Sequence, residues 1–134
     1  MKAKTIAYWT TTAIVSFIMT VSGILAAAHA PAMMKALAHL GYPPYFSNIL
    51  GIAKLAGVCV LLAPGYVLAK EWIYAGFAVV VLSAFYSHLM SGDGLLSLDP
   101  LFVFTMLAIS YFTRPANRHI SWPAAQRLTR PEAR

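Results

Sequence analysis

Four ionisable side chains in this sequence stand where they could act together: Lys54, His88, Asp93 and Asp99. Lys54 is the lone charge in the apolar run from Phe46 to Ala63. Read as a helix, that run puts Lys54 roughly 12 Å from its start, near the middle of a hydrocarbon layer about 30 Å thick. A lysine there costs about 3 kcal/mol on insertion scales, so it should face other helices and find a partner. His88 closes the next apolar run, Asp93 lies in the turn Ser91-Gly92-Asp93-Gly94, and Asp99 opens the last run. All three can therefore approach the half of the layer that holds Lys54. An ammonium flanked by an imidazole and a carboxylate could hold an oxygen of a headgroup or a quinone carbonyl. Asp99 or His88 would then balance the charge or relay protons. A plainer arrangement uses the same residues: Lys54 extends toward headgroups, or pairs with Asp99 to fix helix register. The sequence leaves open whether Asp99 or Asp93 is its partner.

Other chemistries find little support. Cys59 is the only cysteine, so there is neither an intrachain disulfide nor a second thiol for a redox relay. His29, His39 and His119 fall in predicted loops or the tail, so no two histidines are expected to face each other across helices as a membrane-bound haem requires, and no metal is expected. No nucleotide-binding glycine loop occurs. Lys and Arg outnumber Asp and Glu by ten to four, but the excess sits at the two chain ends. It reads as membrane orientation, and nucleic acid is not an expected partner.

The elements that position these residues follow from composition. Hydrophobic residues make up 60% of the 134 and charged residues 10%, against roughly a quarter charged in soluble domains. The expected fold is an all-α integral membrane four-helix bundle, occupying residues 1–113, with spans at about 6–28, 46–63, 72–90 and 95–113. The first run, about 34 Å long as a helix, outlasts a signal-peptide core, and Pro31 would follow the cleavage site directly. Met33, Met34, Leu37 and Leu40 recur at helical spacing with Lys35 and His39 between them, which predicts a short interfacial helix in the first outer loop. Pro64-Gly65 marks a turn. Asp99 before Pro100 predicts an N-cap, which leaves a last helix of only about 21 Å. Glu71 is expected to cap the third helix, and Trp72 and Tyr74 to anchor it at the interface. Gly51 and Gly57 should allow close helix packing. Residues 114–134 read as a basic, loosely ordered tail. Lys2, Lys4, Lys70 and the tail arginines then share one side, which places both termini in the cytoplasm.

The runs Leu40-Gly41-Tyr42-Pro43, Gly51-Ile52-Ala53-Lys54-Leu55-Ala56-Gly57, Leu61-Leu62-Ala63-Pro64, Lys70-Glu71-Trp72-Ile73-Tyr74-Ala75-Gly76-Phe77 and Ser87-His88 with Gly92-Asp93 resemble the DoxX-like family of small four-helix membrane proteins. The likeness covers about Ile6 to Phe112. It implies a four-span bacterial inner-membrane protein. The family's name comes from a membrane subunit associated with quinone-coupled thiosulfate oxidation, so quinone is the implied cofactor. Lys54, Glu71, Trp72, Tyr74, His88 and Asp93 match motif positions, and no catalytic role comes with them. The leading expectation is a protein that is not an enzyme on its own and binds a quinone-like or lipid-like molecule in support of a membrane redox or envelope-stress partner. The competing classes are a structural or assembly subunit without a ligand and a small transporter working as a homo-oligomer. The largely apolar stretches between Lys54 and the cytoplasmic ends disfavour the transporter.

Overall fold

The computed structural model describes residues 1–118 and 120. They form five α-helices and, among the described residues, no strand: α1 (Lys2–Ala27), α2 (Pro31–His39), α3 (Phe46–Leu62), α4 (Val67–Met90) and α5 (Leu98–Phe112). A 3-10 turn over Gly94–Ser97 leads into α5, and another over Ala116–Arg118 follows it. The breaks fall where the chain demands them. Pro31 occupies the first turn of α2, where its missing N–H is no loss. Gly65 lies in the α3–α4 turn at φ 71°, a left-handed conformation that glycine adopts at little cost, and Tyr66 follows it at φ 50° before α4 begins.

The four longer helices run alternately up and down and close a ring in which α1 packs on α3 and α5, and α4 on α5 and α3. One end of the ring, the near end, carries Lys2 and Phe112. The far end carries α2 and the α4–α5 turn. Val15, Met19, Val58, Leu61, Tyr74, Phe77, Val81 and Leu107 fill the centre. Phe17, Ile52, Leu68, Trp72, Val79 and Phe112 point outward instead. Lys2–Ala27, Val67–Met90 and Gly94–Phe112 are long and apolar enough to cross a bilayer, and α3 is a shorter apolar helix of 17 residues. The chain is a helical, multi-pass membrane protein whose outward apolar face belongs in lipid.

Glycines on α3 allow close approach on both sides: a Cβ on Gly51 would lie 2.6 Å from the Ala27 amide nitrogen of α1, and one on Gly57 2.6 Å from the Phe77 ring of α4. Hydrogen bonds tie the same layers: Ser47 Oγ donates to the Ala26 carbonyl at 2.6 Å, and Thr12 and Tyr74 meet at Ser110, each 2.7 Å from its hydroxyl. These groups are buried where water cannot serve them, so the pairings fix which helix faces meet.

Four sequence expectations change. Tyr74 does not anchor the interface: it is buried in the core with its hydroxyl on Ser110, because α4 turns that face inward. The fourth apolar segment is not short, because the 3-10 turn extends α5 at about 2.0 Å per residue, giving Gly94–Phe112 about 30 Å in all. Asp99 is not an N-cap: Ser97 precedes α5 and Asp99 sits inside its first turn. Glu71 does not cap α4 either, since α4 begins at Val67 and Glu71 lies beyond its first turn. The expected basic tail lies mostly outside the described residues, with His119 and residues 121–134.

Candidate functional site

Lys54 lies on the α1-facing side of α3, where Gly23 lets the two helices approach: a Cβ on Gly23 would be 3.2 Å from that of Lys54. Its ammonium donates to Ser22 Oγ at 3.1 Å. Among the described residues no carboxylate lies within 4.0 Å of it; the ion pairs there are His39–Asp93, His88–Asp93 and Arg114–Glu71. A lysine ammonium carries three donors, so two of them find no acceptor among the described residues. Neither Asp99 nor Asp93 forms the contact weighed from sequence. Asp93 is taken by histidines, and Asp99 stands across an open groove.

That groove has a volume of about 270 Å³ and runs between α1, α3, α4 and the start of α5. Ile18, Met19, Val80, Val81, Ala84, Leu96 and Val103 make most of its wall, while Ser22, Lys54, His88 and Asp99 supply its polar points. The structure thus brings Lys54, His88 and Asp99 to one concavity and holds Asp93 just behind it. Apolar walls with a few convergent polar groups are the usual build of a small-molecule site.

Behind the groove, His88 Nδ1 lies 2.6 Å from Asp93 Oδ2, and His39 Nε2 lies 2.6 Å from Asp93 Oδ1. One carboxylate thus joins α2, the end of α4 and the turn before α5. Hydrogen bonds from His39 and then His88 hold the Asp93 carboxyl below the usual carboxylate range, against a smaller opposing effect of burial. Tyr42, stacked on Phe46 at 4.8 Å between ring centroids, adds a hydroxyl contact to Ser87 of 2.8 Å. His39, expected on the short helix of the first outer loop, is the last residue of α2; its position opposite Asp93 arises from a helix-to-turn pairing that no local pattern reveals.

The near end holds a second cluster. Arg114 donates to Glu71 Oε1 at 2.8 Å, and its guanidinium lies 4.1 Å from the Tyr111 ring centroid and 4.8 Å from that of Tyr74. Arg118 stacks on Trp9 at 4.8 Å. Lys70, fully buried, donates to the carbonyls of Val60 and Ala63 and so satisfies the end of α3. Glu71 and Tyr74 also line a cavity of about 340 Å³ between α4 and α5, walled by Ala75, Ala78, Phe104, Leu107, Ala108, Tyr111 and Phe112. Trp72 faces outward, away from this cluster. The polar groups here are matched to one another, which marks the cluster as a tie between α4 and the segment after α5. In sequence Lys70 and Arg114 each look like an ordinary loop or helix-end cation; their roles arise from tertiary packing.

Among the described residues no group of three or more His, Cys, Asp or Glu side chains is arranged to hold a metal ion. In comparison with known proteins, the DoxX-like family matches residues 10–111, most of the chain. No curated protein and no solved structure matches it.

Proposed function

We propose, from the premise that the chain belongs to the DoxX-like family, that it binds a quinone-like or lipid-like molecule in the groove at Lys54. The observation that carries this reading is Lys54 itself. Among the described residues this lysine within the apolar layer has only a neutral hydroxyl as partner, and it opens on a groove of about 270 Å³. An uncompensated charge there is costly, and a ligand oxygen would relieve that cost more than it would at a site already paired with a carboxylate. His88 and Asp99 provide further polar contacts, and the apolar wall suits a hydrocarbon tail. Asp93 acts through His88. Glu71 and Tyr74 belong to the separate near-end tie, and Trp72 anchors that end at the interface.

The proposal extends to setting. Lys2, Lys4, Arg114 and Arg118 lie at the near end and Lys35 on the far-end helix, so the near end with both termini faces the cytoplasm of a bacterial inner membrane. Binding there would support a membrane redox or envelope-stress partner. The test is mass spectrometry of molecules co-purifying with wild type and with Lys54→Ala from matched membranes. A quinone or specific lipid retained by wild type and lost from the variant supports the reading. Identical bulk lipid in both favours a structural subunit.

A further inference from the structure

Resting on that reading, we infer that His88 takes a proton from the groove's ligand, so that the site favours amphiphiles carrying a weakly acidic hydroxyl, of the phenol or hydroquinone type, over neutral lipids. The inference starts from donor and acceptor accounting. An ionised carboxylate only accepts hydrogen bonds, so both rings held at 2.6 Å by Asp93 must present N–H groups to it. For His88 this places the hydrogen on Nδ1. In the neutral ring Nε2 then carries a lone pair, and His88 lines the groove.

Nothing local on α4 would choose that tautomer. The choice comes from Asp93, and Asp93 is itself held from its other oxygen by His39 of α2. This is the logic by which a carboxylate orients an imidazole base without itself taking the proton. The charged and titratable groups around His88 are Asp93 from the turn, Lys54 of α3 and Asp99 of α5 in the groove, with His39 beyond Asp93 and Tyr42 hydrogen-bonded to the neighbouring Ser87. Lys54 supplies the complementary charge.

The step balances without any redox partner. The ligand O–H bond breaks, its proton moves to His88 Nε2, and the electron pair stays on the oxygen as an oxyanion held by the Lys54 ammonium. The imidazolium so formed is balanced by the Asp93 carboxylate. Asp93 and His39 are positioning residues, and His88 and Lys54 touch the ligand.

The experiment uses the full chain in detergent with an alkyl-chain 4-cyanophenol as probe. Phenolate absorbance is followed together with proton release into weakly buffered solution at pH 7, where an ordinary imidazole is mostly neutral. Wild type should show bound phenolate with the proton retained by the protein. His88→Gln should bind the probe while lowering the ratio of phenolate to phenol about tenfold, equivalent to one pKa unit, or else should release the proton to solution. Asp93→Asn, which keeps His88 and removes its orienting carboxylate, should fall between the two. The inference is overturned if wild type binds the probe as the neutral phenol, or forms phenolate with full proton release, or if His88→Gln behaves as wild type. In those cases Lys54-dependent binding of the probe would leave the groove reading standing. Undiminished binding by Lys54→Ala would remove the groove reading as well.

Discussion

Replacing Gly51 with alanine should push α1 and α3 apart. The added Cβ would meet the Ala27 nitrogen at 2.6 Å, the Gly23 carbonyl oxygen at 2.8 Å and the Ala27 Cα at 3.0 Å, all backbone atoms that cannot rotate away. Ordinary contact begins at 3.4 Å, so the helices must separate by the difference 3.4 − 2.6, or 0.8 Å. Overpacking of this kind costs about 1–3 kcal/mol. The Ser47–Ala26 bond of 2.6 Å and the Lys54–Ser22 bond of 3.1 Å cross the same interface, and stretching either forfeits about 1 kcal/mol. Against these stands the higher helix propensity of alanine, about 1 kcal/mol. The net expectation is a loss of about 2 kcal/mol. The assay is SDS-titrated unfolding in mixed micelles, with Gly76→Ala as its counterpart. A Cβ on Gly76 meets nothing within 4 Å, so the propensity gain should appear there undiminished. If Gly51→Ala were as stable as wild type, or moved with Gly76→Ala, the close α1–α3 contact would be wrong.

Other consequences can be checked in the same way. Lys70→Met should cost about 1–3 kcal/mol of unfolding free energy, because it strips the Val60 and Ala63 carbonyls of their donor; a neutral result would show that the end of α3 is otherwise satisfied. Arg114→Lys keeps the charge but loses the planar stack on Tyr111 and Tyr74, and should cost about 1 kcal/mol in an unfolding titration; equal stability would reduce Arg114 to a point charge. Asp93 has a folded-state pKa below its ordinary value, so it adds stability above the usual carboxylate range that is lost as pH falls through the depressed value. Unfolding curves of wild type and Asp93→Asn should therefore be separated at neutral pH and converge in acid. A gap that widened in acid would contradict the His39–Asp93–His88 bridge.

The fold was legible because lipid imposes a strong rule: apolar runs of helical length must be helices, and Pro64-Gly65 and Ser91-Gly92 punctuate them. The α2 helix was legible from its own amphipathic spacing. That Lys54, His88 and Asp99 share one concavity followed from depth along antiparallel helices. What escaped were pairings between residues distant in sequence. Ser22 looks like any serine in an apolar run until α3 crosses it at Gly23. His39 and Asp93 are 54 positions apart, and Glu71 and Arg114 are 43 apart, so only the closed ring makes them neighbours. Lys70 has the sequence context of a loop cation, since the apolar run starts only at Trp72, whereas α4 begins at Val67. Its burial depends on where the carbonyls of α3 end, a tertiary fact. The length of α5 escaped for a local reason, since Pro100 suggested a start where a 3-10 turn was already leading into the helix.

Ligand binding at Lys54 is tested most directly by photo-cross-linking with a diazirine-bearing quinone analogue in native membranes, followed by peptide mapping. Labels are predicted at Ile18–Ser22 on α1, around Lys54 on α3 and over Val80–His88 on α4, with loss of labelling at all three in Lys54→Ala. Labelling of Tyr74, Phe104 and Phe112 around the near-end cavity, or labels spread evenly over the lipid-facing helices in both proteins, would contradict it.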